Sequence, residues 1–478
     1  MISRLSPARF CLVLLVLGLL VSGAFNGLNR SWLYVNSDAR AYFLTAKNLA
    51  HGLGYTEGER NHWRDSIYRV CPIYIASLAG VFRLLGPEET WRGQNRLDQV
   101  QVQAILLFET ILYALGAILA YLIARQVWDE TSACWTGLIC LLVPDFITYA
   151  GMVMAESLAN LLTLGAALAA FAYLRRRRPL WPVLAAFGLL GLGVLTRPNL
   201  LAPALCLIGF LAWRRDWPAA LAGLLVLVLV LTPFSLRNLD KYGRAWYATS
   251  TLNFNLLVGN IEGSMGEFIF DQDEMSRRLK LDYREAQPVE LDEAARRELW
   301  RLVREKPGHV LGINLLKFVR YWSVFRTSAN QWMNNNPWIR RAQLLVSIFT
   351  NSWLFILGPA GLLLAAGPPL PRRAMLVYIG LIFVTAVPMY LNHRYRFAFF
   401  PFLVMGAVVL SRRLWNEWRP RLRALGWRGL WQSLDTTQRG RVWGLAGWAA
   451  FVWGGSLVDG LYRFERFLNY VYGQNIYF

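Results

Sequence analysis

The stretch PAALAGLLVLVLVLTPF, residues 218–234, decides the fold: it carries no charge on any helical face. A soluble protein would have to bury such a helix on all sides, whereas hydrocarbon accepts it directly. FCLVLLVLGLLVSGAF (10–25) repeats the pattern. Across 478 residues the chain is 55% hydrophobic and 17% charged, where soluble domains carry about 25% charged residues. This composition describes an all-α polytopic membrane protein. Apolar runs predict about 11 spans, near 10–28, 100–124, 131–148, 151–174, 180–196, 198–213, 217–236, 341–366, 374–390, 397–411 and 442–460. Arg4 and Arg9 precede the first run, which reads as a retained signal anchor.

The net charge of +20 has a membrane explanation. With the N-terminus in the cytoplasm, the Arg-rich connectors RRRRP, WRRDW, PPLPRR and the basic linker 413–441 all fall inside, as the orientation rule requires. Nucleic acid is excluded as the reason for the charge. The chain divides into a membrane module (1–412), that linker, and a C-terminal span with its tail (442–478). Two long loops, 29–99 and 237–340, lie outside, and long loops on one side of a bundle build sites. Segments 67–86 and 307–326 put basic residues within short apolar runs and read as interfacial helices. The five Cys and four His show no ligand spacing, so no protein-built metal site is expected. Neither a P-loop nor GxGxxG occurs, which argues against nucleotide-sugar use.

The first outer loop contains SDARAYFLTAKNLAHGLGYT (37–56). From Asp38 the apolar positions Ala39, Tyr42, Phe43, Ala46 and Leu49 form one helical face, and Gly52 and Gly54 stop it. Asp38 reads either as an N-cap or as a catalytic carboxylate. Asn36 and Ser37 are equally good caps immediately upstream, which leaves one carboxylate available.

That stretch resembles the first-loop signature of the GT-C superfamily of membrane glycosyltransferases. Within it the chain is closest to the protein O-mannosyltransferase-like and aminoarabinose or galacturonic acid transferase-like bacterial branch. Asp38, Tyr42, Asn48, Gly52, Gly54 and Tyr55 match; the family's usual Glu after the Asp is Ala39 here. The likeness continues in order. It includes Arg69, Pro72 and Tyr74 in YRVCPIYIASLAGVFRLLG, Glu156 in YAGMVMAESLANLL, and Arg197 in GLGVLTRPNLL. Arg237, Asn238, Asn255, Gly259 and Asn260 match in LTPFSLRNLDKYGRAWYATSTLNFNLLVGN, and Arg394 and Arg396 in NHRYRFAFFPFL.

The resemblance implies a GT-C-like bundle in the plasma (inner) membrane with its site on the extracytoplasmic side. It implies inverting transfer of a sugar from a polyprenyl-phosphate donor to a lipid, glycan or protein hydroxyl. Asp38 is then the catalytic base. Arg69, Arg197, Arg237, Arg394 and Arg396 are the candidates for the donor phosphate, since a guanidinium fork suits phosphate oxygens. Tyr42, Tyr74, Glu156 and Asn255 would support them, with Tyr42 and Trp332 open as sugar-stacking rings. Some members of the superfamily place a divalent ion near the base, which leaves room for one here. Glu109, deep in the second span, has no counterpart in the pattern. A transporter or flippase of lipid-linked sugars, or a polysaccharide polymerase or ligase, is the alternative. A transporter predicts an internal repeat, and none is found.

Overall fold

The computed structural model describes residues 5–28, 37–57, 70–85, 99–176, 179–268, 271–283, 285–326, 337–365 and 367–463, and these fold as helices. The first half comprises α1 (Pro7–Leu28), α2 (Ser37–Ala50), α3 (Pro72–Leu84), α4 (Gln99–Val127), α5 (Glu130–Cys140), α6 (Pro144–Ala150), α7 (Glu156–Arg176), α8 (Trp181–Val194), α9 (Leu201–Trp213) and α10 (Trp217–Tyr242). A lobe follows, made of α11 (Leu252–Val258), α12 (Gln272–Leu279), α13 (Pro288–Glu305) and α14 (Pro307–Arg320). The bundle resumes with α15 (Pro337–Leu364), α16 (Pro369–Ala386), a 3₁₀ segment His393–Phe399 and α17 (Phe400–Arg413), then α18 (Arg419–Ser433) and α19 (Thr436–Tyr462).

Seven helical stretches among the described residues are long and apolar enough to cross a membrane. An eighth arises if α5 and α6, bent by 54° at Pro144, make one broken span. This multi-pass architecture is the one the composition demands. The difference from about 11 spans has a physical source. α8 has 14 residues and rises about 21 Å, short of the roughly 30 Å hydrocarbon core. The Pro198–Trp213 stretch is similarly short, and α19 opens on polar, Arg-bearing turns. α3 and α14, at 13 and 14 residues, are likewise too short to span, in keeping with the interfacial reading of their segments.

The decisive apolar stretch lies in α10. Leu221, Leu225 and Leu229, one turn apart, are exposed to the surroundings, while Ala220, Gly223 and Leu227 are buried. The buried side belongs to a satellite core with Phe187 and Leu190 of α8. Elsewhere the bundle is fixed by backbone contact. A methyl group added to Gly361 of α15 would sit inside the Gly406 carbonyl group of α17, and one on Gly406 inside that of Gly358. Small residues allow this approach between membrane helices, where packing rather than the hydrophobic effect drives association.

In the lobe, the charged run 271–306 forms α12 and α13. Asp271 caps α12 by accepting from the amides of Asp273 (2.9 Å) and Glu274 (3.0 Å). The Gln287 amide donates to Glu290 (2.8 Å) in a capping box that opens α13. Phe254, Leu257, Met275, Leu291 and Ala295 give the lobe its own apolar core.

A clamp joins the lobe to the chain just ahead of the 3₁₀ segment. Gly259 lies so close to Met389 that any side chain would collide with its carbonyl group. Asn260 Nδ2 donates to the Pro388 carbonyl (2.7 Å). Lys317, fully buried, donates to the carbonyls of Pro388 (3.0 Å) and Met389 (2.8 Å) and to Asn260 Oδ1 (3.3 Å). The matched Gly259–Asn260 pair thus has a structural task. A second tie runs to α19, where Arg320 and Arg326 each pair with both Glu267 and Asp459 at 2.7–2.8 Å.

Burial pulls the Lys317 ammonium down to about 7, against an ordinary value near 10.4. Between those limits the unfolded chain binds more protons, so the Lys317 contribution to stability rises with pH from about 7 to about 10 and is lost below. Thermal unfolding of wild type and Lys317→Met should therefore diverge in favour of wild type as pH rises through that window. A pH-independent difference refutes the assignment.

Candidate functional site

The first turn of α2 carries Asp38, and the helix ends where the sequence predicts. The Gly52 amide donates to the Leu49 carbonyl and the Leu53 amide to the Asn48 carbonyl, a Schellman closure that puts Gly52 at φ 75°. Asn48 Nδ2 reaches the Thr56 carbonyl (2.8 Å), and the Tyr55 hydroxyl donates to the Val70 carbonyl (2.6 Å). Several matching residues of the opening motif are therefore turn-builders, and Asp38 is the one whose charge meets an opposite charge across the bundle.

Asp38 Oδ2 accepts from Arg394 Nη1 at 2.8 Å, joining α2 to the 3₁₀ segment. Arg394 Nε lies 4.0 Å from Glu156 Oε1 at the start of α7. That same oxygen pairs with Arg197, between α8 and α9. The result is an alternating row, Asp38, Arg394, Glu156, Arg197, with no net charge. Exposure is uneven along it: the Asp38 side chain is 34% exposed, Arg394 12%, Glu156 4% and Arg197 24%. The carboxylate able to meet a substrate is thus Asp38, while Glu156 is committed to two guanidinium groups, as a buried acid must be.

Beneath this row the Tyr42 ring, on the Asp38 face of α2, stands edge-on to Tyr74 of α3 (centroids 4.9 Å, 89°). Burial first, and the carboxylates of Glu156 and Asp38 against the opposing Arg197, push the Tyr42 phenol above its usual value. It is no rival base. The Tyr74 hydroxyl donates to Glu109 Oε1 of α4 at 2.5 Å, with both residues fully buried. This is the partner that the sequence did not disclose for Glu109; an acid inside a span was the available signal. Near by, burial pushes the Cys71 thiol up to about 12, so it is inert. Tyr74→Phe leaves Glu109 without that donor and should cost about 1–3 kcal/mol. The Tyr74→Phe/Glu109→Leu double variant should recover most of it, read as unfolding temperature in detergent.

The other predicted cations divide differently. Arg237 lies over the rings of Tyr55 (5.3 Å) and Phe234 (5.6 Å), with Nη1 donating to Asn238 Oδ1 (2.7 Å). It meets the first loop through Tyr55 rather than joining the row. Arg396, expected at the donor phosphate, is 1% exposed. It donates to the carbonyls of Tyr321 (3.2 Å), Ser323 (2.8 Å) and Arg326, and its guanidinium lies over Phe355 (5.0 Å). In a three-residue turn, positions two apart face different directions, so Arg394 and Arg396 diverge. Asn255 sits in α11, its amide 3.5 Å from Thr251 Oγ1, and is not brought to the row. Arg69 and Trp332 lie outside the described residues. Among the described residues, no three His, Cys, Asp or Glu side chains converge to hold a metal. Arg394 stands where an ion bridging Asp38 and Glu156 would have to sit, so these residues do not fit one.

Residues 92–237 match a family model described as dolichyl-phosphate-mannose-protein mannosyltransferase. No curated protein matches the chain. Among solved structures, the chain is similar to the archaeal oligosaccharyltransferase AglB from Archaeoglobus fulgidus in complex with an inhibitory peptide and a dolichol-phosphate. The TM-score is 0.50 and identity 15%, covering 94% of this chain and 55% of that one. The chain thus spans about half the length of that protein. It is also similar to ArnT from Cupriavidus metallidurans bound to undecaprenyl phosphate, with TM-score 0.38, 16% identity, and 85% and 78% coverage. The GT-C resemblance read from the sequence is borne out in the matched segment and in the fold.

Proposed function

We propose that this chain is an inverting glycosyltransferase. It moves one sugar from a polyprenyl-phosphate donor to a hydroxyl of a lipid, glycan or protein on the extracytoplasmic side of the plasma membrane. The observation that carries the reading is the 2.8 Å contact between Asp38 and Arg394, with Glu156 and Arg197 behind it. The matched family segment, and the dolichol-phosphate in the archaeal structure of similar fold, support the same donor class. On this reading α8, the Pro198–Trp213 stretch and α19 complete the eleven spans, and Asp38 faces outward.

The chemistry follows from charge. The acceptor O–H bond breaks as its proton passes to an Asp38 oxygen, and the oxygen's electron pair forms the new bond to the anomeric carbon. The bond from that carbon to the phosphate oxygen breaks, and its pair leaves with the lipid phosphate. A phosphate monoester departs readily, so one base and fixed positive charge suffice. Arg394 balances the charge of Asp38 and aims its carboxylate at rest. When the donor phosphate takes hold of Arg394, the carboxylate loses its counter-charge and becomes the stronger base. Arg197, backed by Glu156, supplies a second guanidinium, and Arg69 of the first loop and Arg237, which meets that loop through Tyr55, are the further candidates.

Mass spectrometry of envelope glycolipids and glycans tests the reading. A strain lacking the gene should lose one hexose or pentose from one acceptor class, and complementation should restore it. Identical profiles overturn it. Reporters placed in RRRRP and in the 237–340 loop should report opposite compartments.

A further inference from the structure

At the far end of α7 from Glu156 lies a cleft of about 470 Å³, lined by Leu122, Arg125, Gln126, Glu130, Leu168 and Arg175. Nineteen residues of helix separate Glu156 from Arg175, a rise of about 28 Å, close to one hydrocarbon thickness. The cleft is therefore independent of the Asp38 row and faces the opposite leaflet.

Its lining is graded along the helices. Arg125 and Gln126 lie in the last turn of α4, and Leu122 one turn deeper. Arg175 lies in the last turn of α7, and Leu168 two turns deeper. Polar groups thus crown the opening, and leucines line the wall that descends between α4 and α7. Glu130 is already engaged: it accepts from Tyr121 Oη (2.5 Å) and from Arg125 Nε (2.6 Å). Only the Nε edge of Arg125 is used in that pair. Arg175 has no carboxylate partner among the described residues and is exposed. Two guanidinium groups against one carboxylate leave one positive charge.

We propose that this cleft binds an anionic phospholipid of the leaflet at that end of the bundle. A phosphodiester brings one negative charge, matching the cleft's surplus, and guanidinium groups suit its oxygens. The leucine wall takes the start of an acyl chain, which a free phosphate would not use. A zwitterionic lipid would bring its own cation to the two arginines and bind less well.

Native mass spectrometry of the full chain in detergent tests this, with phosphatidylglycerol or phosphatidylcholine added at equal concentration. Wild type should retain phosphatidylglycerol about fivefold better, the expected worth of one basic side chain at an anionic headgroup. Arg175→Gln, which disturbs no ion pair among the described residues, should bring the preference to parity, and Arg125→Gln/Arg175→Gln, which leaves Glu130 without its cation, should take it to parity or below. Arg214→Gln, a basic residue of another connector, should leave it unchanged. Parity in wild type overturns the proposal, as does a preference that survives the double variant. An equal fall in Arg214→Gln, pointing to a generic basic surface, also overturns it. So does loss of the preference to millimolar inorganic phosphate, the mark of a free-anion site.

Discussion

Asp38→Asn should slow sugar transfer by about 10²- to 10⁴-fold, the usual contribution of a general base. The substitution keeps side-chain size and leaves Arg394 an acceptor, but removes the charge and the proton sink. Donor affinity should move the other way. With its resting counter-charge gone, Arg394 meets the donor phosphate without competition, so binding should hold or tighten. Turnover and equilibrium binding of a radiolabelled polyprenyl-phosphate sugar, measured on purified protein, separate the two effects. An Asn variant within tenfold of wild-type turnover would remove Asp38 as the base. A parallel loss of binding would recast it as a structural residue.

The second large effect is expected at Arg394. On the proposed function, Arg394→Gln removes both the cation that meets the donor phosphate and the group that aims Asp38, and should cost about 10²- to 10³-fold in turnover, with weaker donor binding. Arg394→Lys should restore only part, because an ammonium lacks the planar fork that lets one side chain serve Asp38 and Glu156 together. Arg396→Gln is the control two residues away. Its guanidinium is committed to backbone carbonyls, so the damage should appear in unfolding temperature and leave the turnover of folded protein near wild type. If the two variants exchange these phenotypes, the division between them is wrong.

The sequence announces some of this arrangement and conceals the rest. Long apolar runs disclose spans because hydrocarbon tolerates little else, and the Asp38 helix shows its face, its caps and its glycine stop. Short helices are harder, since a run of 13 or 14 apolar residues serves equally as an interfacial helix or as a partial crossing. The arginines at span ends look alike in sequence. What distinguishes Arg394 from Arg396 is rotation within one turn, and what distinguishes Arg237 is the ring of Tyr55 beneath it. Those differences arise from tertiary packing that joins residues hundreds of positions apart. Glu109 is legible as an anomaly but not as a hydrogen-bond acceptor, because nothing local ties it to Tyr74.

The glycine contact between α15 and α17 bears on which half of the Asp38–Arg394 pair can travel. Backbone touching backbone leaves no side chain to repack, which holds α17, and the segment bearing Arg394 that leads into it, closely against α15. The helix of Asp38 rests chiefly on α3, through ring edges that can slide. On the proposed function, opening the row to admit a lipid carrier would be a swing of the carboxylate's helix against the cation's segment. A distance probe between α2 and α17 would record that swing as donor binds.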